Sequence, residues 1–200
     1  NTVDRMEEYT HVADDLGGGM ILGGAGDEYA ALLEDVVRPL VAERYGEPVA
    51  NTGLVALPAT YKTEYVRYAT VDREDLKQVR DLYAPRAALA AAQASGVLPS
   101  GTTLVMEIFG AQLDAAQNPV TGADGRMQKA ALANIFVMEK RTGWGTQYPA
   151  ETRNGEWEYA RFTPAGARHD DRNMAACFQC HTRVAASDYL FSVPAMRMAR

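Results

Sequence analysis

Thr102 to Leu113 reads TTLVMEIFGAQL. Its β-branched and aromatic residues predict a strand, interrupted by Gly110. Working outward, Glu64 to Val71 (EYVRYATV) alternates in the same way and predicts a second strand. The charged stretch Asp72 to Lys77 reads as a turn, and Val79 to Tyr83 as the next strand. Leu132 to Lys140 and Trp157 to Phe162 add two more, with a turn-rich excursion at Asp114 to Gly125 and a tight aromatic turn at Gly143-Trp144-Gly145. Helices are expected on either side. Asp27 to Glu43 has a broad apolar face, a capping Asp27 and a bend at Pro39. Pro85 to Ser95 is alanine-rich, with proline at its start and Gly96 at its end. Strands in the middle with helices at both ends predict an α+β fold.

The chain has 200 residues, which suits one domain with extended ends. We divide it into a flexible N-terminal segment, residues 1–26, and a single domain, residues 27–200. The glycines of Leu16 to Gly26 (LGGGMILGGAG) invite a phosphate-loop reading. They match neither G-x-G-x-x-G nor a Walker motif with its lysine, and the stretch reads as a connector. At 47% hydrophobic and 23% charged residues, the chain can bury a core and does not have a disordered composition. The net charge of −6, with no basic stripe, argues against nucleic acid. No apolar run approaches the roughly eighteen residues that a membrane span needs.

Cys177-Phe178-Gln179-Cys180-His181 brings together both cysteines of the chain and one of its three histidines. C-x-x-C-H reads as a c-type haem attachment, in which two thiols form thioethers and the histidine is the proximal iron ligand. A structural disulfide or a C-x-x-C redox pair are the alternatives. A short helix should carry the motif, since one turn brings the three side chains to one side. Asp188 to Val193 follows, and the last residues are expected to trail off. The cofactor expected is one haem c per chain, covalent through Cys177 and Cys180, with His181 on the iron. Attachment of this kind needs an exported apoprotein, so the expected address is the periplasm.

The sixth ligand then decides the function. His11 and His169 read as surface histidines. Met196 and Met198 lie downstream of the motif, where an electron carrier's methionine usually lies. The gap is too short for the usual helical cytochrome c. Glu107 and Glu139 are acids inside apolar strands, and Glu139 is the candidate catalytic proton relay. Tyr61, Tyr65, Arg67, Tyr68 and Trp144 are candidates to line a pocket or meet propionates. Met106, Ile108, Phe109, Phe136 and Met138 are expected to form its dry apolar wall.

The order of YKTEYVRYATVD, LPSGTTLVMEIFGA, VMEKRTGWG, WEYARFTP, ACFQCH and DYLF resembles the cytochrome P-460 family, over roughly Tyr61 to Val193. The resemblance implies a mostly antiparallel sheet flanked by helices, one haem c, and usually a homodimer. It implies thioethers at Cys177 and Cys180 and a five-coordinate iron on His181. Members oxidise hydroxylamine, and the related beta-type cytochromes c-prime bind nitric oxide. The hydroxylamine oxidisers join a strand lysine to the porphyrin. Matching that strand places Met106 at the lysine's position, and a thioether cannot make an amine crosslink. Lys62 and Lys140 are the nearest other lysines and fit the position poorly. The expected function is therefore a periplasmic mono-haem cytochrome that binds a small ligand such as nitric oxide. The alternatives are an oxidoreductase of hydroxylamine or a related nitrogen compound, passing electrons to a partner cytochrome, and a methionine-ligated electron carrier.

Overall fold

The strands expected from alternation pair in chain order. In the computed structural model, β1 (Val66–Arg73), β2 (Gln78–Ala84), β3 (Thr103–Ala111), β4 (Lys129–Lys140) and β5 (Trp157–Phe162) form one antiparallel meander with the order β1-β2-β3-β4-β5. The structure describes residues 54–169 and 174–199, all within a compact unit spanning Glu47–Arg200. The expected helix at Asp27 to Glu43, the glycine-rich connector and the boundary at residue 26 lie outside the described residues.

β1 continues through Asp72 and Arg73 into the expected charged turn, and Gly110 lies within β3 rather than interrupting it. The starts of β1 and β4 also differ from expectation, for local reasons. Glu64 belongs to a four-residue helix, α1 (Tyr61–Glu64), where the Thr60 hydroxyl donates to its carboxylate at 2.7 Å; the strand starts at Val66. The fourth strand begins at Lys129 rather than Leu132, because Lys129 still pairs with Ala111 across the register shifts that follow Ile108. The alanine-rich segment forms α2 (Arg86–Ala94), with Pro85 as its N-cap. Gly96, at φ +80°, then turns the chain in a conformation that suits glycine.

α3 (Ala175–Thr182) carries the cysteine motif, as expected. The expectation of a trailing end is corrected: Val193–Met198 forms a helix, α4, with Pro194 in its first turn. Val193 and Met196 are buried there against Ala88, Leu89 and Ala92 of α2. The burial of those side chains orders a segment whose composition alone reads as a tail.

Strand alternation gives the sheet two different faces. One carries Leu104, Met138, Trp157 and Tyr159 and packs on α2, α3 and α4. The other carries Val105, Ile135, Val137, Ala160 and Phe162, covered by Val55, Leu57 and Tyr61. A register shift between Arg67 and Ala69 puts one extra residue into β1. The bulge resets the alternation, so Tyr68 and Val71 both reach the helix-covered face.

Candidate cofactor site

α3 is fixed to the sheet through its middle. Phe178 is buried between the rings of Tyr148 and Tyr159, edge-on to both at 5.0 and 4.9 Å. Its carbonyl accepts from Asn154 Nδ2 at 2.9 Å. Asn154 is fully buried, and the same amide nitrogen donates to the Tyr159 hydroxyl. Thr182 Oγ1 lies 2.8 Å from both Asn154 Oδ1 and the Phe178 carbonyl. Nothing in the sequence analysis marks Asn154. Its role needs the distant Phe178 and Thr182, which only the fold brings to it.

With Phe178 turned into the core, Cys177, Cys180 and His181 border a cavity of about 520 Å³ between α3 and the sheet. No disulfide joins the two cysteines. Burial, with the neighbouring Cys180, pushes the Cys177 thiol up to about 11. A redox C-x-x-C pair needs the opposite shift in its attacking thiol, so this environment does not favour that reading.

The imidazole of His181 rests against Tyr159 at 5.0 Å and meets the edge of Phe191 at 5.4 Å. Its Nδ1 lies 2.7 Å from the Tyr189 carbonyl. A carbonyl only accepts, so the proton is on Nδ1 and Nε2 carries the free lone pair. Burial lowers the pKa of His181, partly opposed by that carbonyl bond, and favours the neutral ring a metal requires.

The sheet wall of the cavity is apolar. Leu82, Met106, Ile108, Phe136 and Met138 border it, while Arg73, Arg80, Tyr68 and Ser192 supply polar groups. Tyr68 and Ser192 hydroxyls bond each other at 2.8 Å, and burial pushes Tyr68 up to about 12. Arg73 is held by Asp75 through two bonds, at 2.8 and 2.5 Å. Arg80 gives Nη2 to Gln78 Oε1 at 2.9 Å, but its buried Nε has no hydrogen-bond partner. These features fit a haem: an apolar slot in the usual size range for cofactor pockets, two thiols and a neutral imidazole on one wall, and an unsatisfied guanidinium N–H for an anionic side group. Among the described residues no group of three or more His, Cys, Asp or Glu could hold a bare metal ion.

The structure sorts the other candidates. Met106 borders the cavity. Glu139 does not border it. It lies on the opposite face of β4, where Arg141 Nε donates to its carboxylate at 2.6 Å. Glu107 is buried on that face too, accepting from Tyr61 at 2.7 Å, Tyr83 at 2.9 Å and Lys62 at 2.8 Å. Of the five aromatic and cationic candidates, Tyr68 borders the cavity. Tyr61, Tyr65 and Trp144 pack on the opposite cluster, and Arg67 pairs with Asp81. Phe109 is the one member of the expected apolar wall that faces away, packing beside Val79, Ala111 and Met127. Met196 is buried in the core and Met198 is exposed, and neither borders the cavity. His169 lies in the loop after β5, away from it, and His11 is outside the described residues.

Sequence reasoning missed Arg73, Arg80, Tyr159 and Phe191. Arg80 was within reach, because in QVRDLYA it shares a face with Leu82. Arg73 lies beyond the bulge, where simple alternation assigns the wrong face.

The four lysines of the chain are all placed elsewhere. Lys62 meets Glu107, Lys129 meets Asp81, Lys140 meets Asp188, and Lys77 ends a turn in left-handed conformation. None borders the cavity.

No curated protein matches the chain. The family model for cytochrome P460 matches residues 58–192, which takes in all five strands and the whole cysteine motif. The chain therefore belongs to the cytochrome P460 family.

Proposed function

We propose that this chain is a periplasmic mono-haem c cytochrome that binds a small ligand such as nitric oxide on the sheet side of its cofactor. Family membership supports a haem c cytochrome. The observation that carries the finer reading is the contrast between the two cavity walls. α3 presents Cys177, Cys180 and His181, and the facing sheet presents Leu82, Ile108 and Phe136 with no lysine, histidine or carboxylate. When bound, the haem supplies an iron with a coordination position for a diatomic ligand. The protein's part is to hold one side through His181 and to keep the other dry. Cys177 and Cys180 would anchor the porphyrin edge, and Arg80, with Arg73 beside it, would neutralise its propionates. A wall with no charge beyond these arginines favours a neutral diatomic over a charged substrate.

Titration of the reduced protein with nitric oxide and carbon monoxide, followed in the Soret band, tests this. Stoichiometric spectral change with either gas is expected. No change with both would mean that a protein side chain fills the sixth position.

One specific observation supports a second reading, a six-coordinate electron carrier. Met106 and Met138 both place side chains on the wall facing α3. A methionine–iron charge-transfer band that disappears in Met106→Leu or Met138→Leu would establish it. Hydroxylamine oxidation through a lysine-bound porphyrin gains no support from the placement of the four lysines. A homodimer and a redox partner remain part of the proposal on family grounds, and sedimentation at micromolar concentration tests the dimer. Among the described residues no helix is long and apolar enough to cross a membrane.

A further inference from the structure

Lys140 fits the position of a porphyrin-linking lysine poorly, and the structure gives it another task. Its Nζ lies 2.9 Å from each carboxylate oxygen of Asp188 and donates to the Leu98 carbonyl at 3.0 Å. Asp188 Oδ2 accepts the Leu98 amide at 3.0 Å. Three segments therefore meet at one ion pair: the end of β4, the loop after α2, and the loop after α3. Both side chains are nearly buried, at 12% and 11% exposure, so salt screens the pair little. The β4 end is itself fixed, since Gly101 N–H donates to the Lys140 carbonyl at 2.7 Å and Lys140 N–H to Thr102 at 2.9 Å.

The residue being held is unusual. Asp188 and its neighbour Tyr189 have φ of +52° and +61°, a left-handed conformation that non-glycine residues seldom adopt. Two consecutive residues stay there only if their surroundings hold them. The Tyr189 amide donates to the Val184 carbonyl at 3.1 Å, and its ring sits where a Cβ on Gly155 would come within 3.1 Å. The product of this local strain is the orientation of one group, the Tyr189 carbonyl, toward His181 Nδ1 at 2.7 Å.

We propose that the Lys140–Asp188 ion pair is a positioning device for the proximal histidine: it holds residues 188 and 189 left-handed so that the Tyr189 carbonyl fixes the His181 tautomer and orientation. The inference rests on His181 being the iron ligand, and it adds residues that touch neither iron nor substrate. Donation from Nδ1 makes Nε2 a stronger base and favours the ferric state. Release of the loop weakens that donation.

The test uses Lys140→Met, Lys140→Arg and Asp188→Asn in the protein as purified. Three quantities are read: the solvent-exchange rate of the His181 Nδ1 proton by nitrogen-15 NMR in the diamagnetic ferrous carbon-monoxide form, the iron–histidine stretching frequency of the ferrous protein, and the midpoint potential. Lys140→Met should speed exchange, lower the stretching frequency and raise the potential. Lys140→Arg should restore all three toward wild type. Should Lys140→Met fail to fold, Asp188→Asn weakens the same pair at nearly constant shape and is expected to move the readouts in the same direction. Wild-type values for all three in the folded variants would overturn the proposal. A purified wild-type chain without haem would instead refute the function proposed above, and the Nδ1 proton could still be followed there to test the clamp.

Discussion

On one face of the sheet, β3 and β4 present Met106, Ile108, Phe136 and Met138 to open space. One residue along, on the other face, the same two strands present Glu107 and Glu139. The polar groups of the second face are engaged with one another. Glu107 accepts from two tyrosines and a lysine, Asp81 from Lys129 and Thr70, and Glu158 from Tyr148 and Gln147. The cavity face leaves room, an unpartnered guanidinium N–H at Arg80 and a free imidazole nitrogen at His181. A strand acid is therefore a poor guide to chemistry until its face is known. Saturated polar groups hold the sheet together, and unsatisfied ones beside open volume mark the site.

The difference can be broken most severely at the cavity face. Replacing both Cys177 and Cys180 with alanine should abolish covalent haem retention, read by acid–acetone extraction of the denatured protein. The fold should survive, because Phe178 is the buried anchor of α3, while Cys177 is only partly buried against the same core and Cys180 is exposed.

Next comes the saturated face. Glu107→Ala would leave two tyrosine hydroxyls and an ammonium without their acceptor, and should cost about 3 kcal/mol in urea unfolding. The Soret spectrum of the folded fraction should stay at wild type. The same carboxylate has a pH signature. Burial acts to raise its pKa, but the donors Lys62, Tyr61 and Tyr83 outweigh it and hold it below 4.5. A folded pKa below the unfolded one contributes stability that is present above about pH 4.5 and lost as pH falls through the folded value. Wild type should therefore lose its advantage over Glu107→Gln in that acid window. An advantage independent of pH would contradict the network's charge.

Glu139→Gln should have a smaller effect, about 1 kcal/mol, through its bond to Arg141. Its affinity for nitric oxide or carbon monoxide should be unchanged. A large loss of ligand chemistry in this variant would return Glu139 to the role of proton relay and blur the distinction between the faces.

The smallest expected effect runs the other way. Glu158 is buried opposite Glu139, and burial raises its pKa against the opposing bonds from Tyr148 and Gln147. A raised folded pKa makes ionisation costly, and the cost grows as pH climbs from 4.5 through the folded value. Glu158→Gln should gain less than about 1 kcal/mol at neutral pH. The gain should vanish in acid, as thermal unfolding at two pH values would show.

Much of this architecture was legible in the chain. Alternation located the five strands, and the alanine run between Pro85 and Gly96 located α2, because local propensity and packing agree there. C-x-x-C-H placed three site residues on one helical turn. The apolar wall was read nearly in full from VMEIF and IFVM. What escaped depends on distance or on face. The bulge at Arg67 to Ala69 reversed the alternation of β1 and hid Arg73. Asn154 acts through residues 24 and 28 positions away. The apolar neighbours of Glu139 make it a candidate relay, but Met138 beside it occupies the cavity face, and alternation turns Glu139 away. α4 is ordered by its contact with α2, which composition does not reveal.

Proteolysis of the purified protein, followed by mass analysis of every haem-bearing peptide, tests the central claim most directly. One haem per chain is expected, attached to one peptide containing Cys177 and Cys180 through two thioether bonds. Haem released from all peptides, or a second attached peptide containing Lys62, Lys77, Lys129 or Lys140, would contradict it.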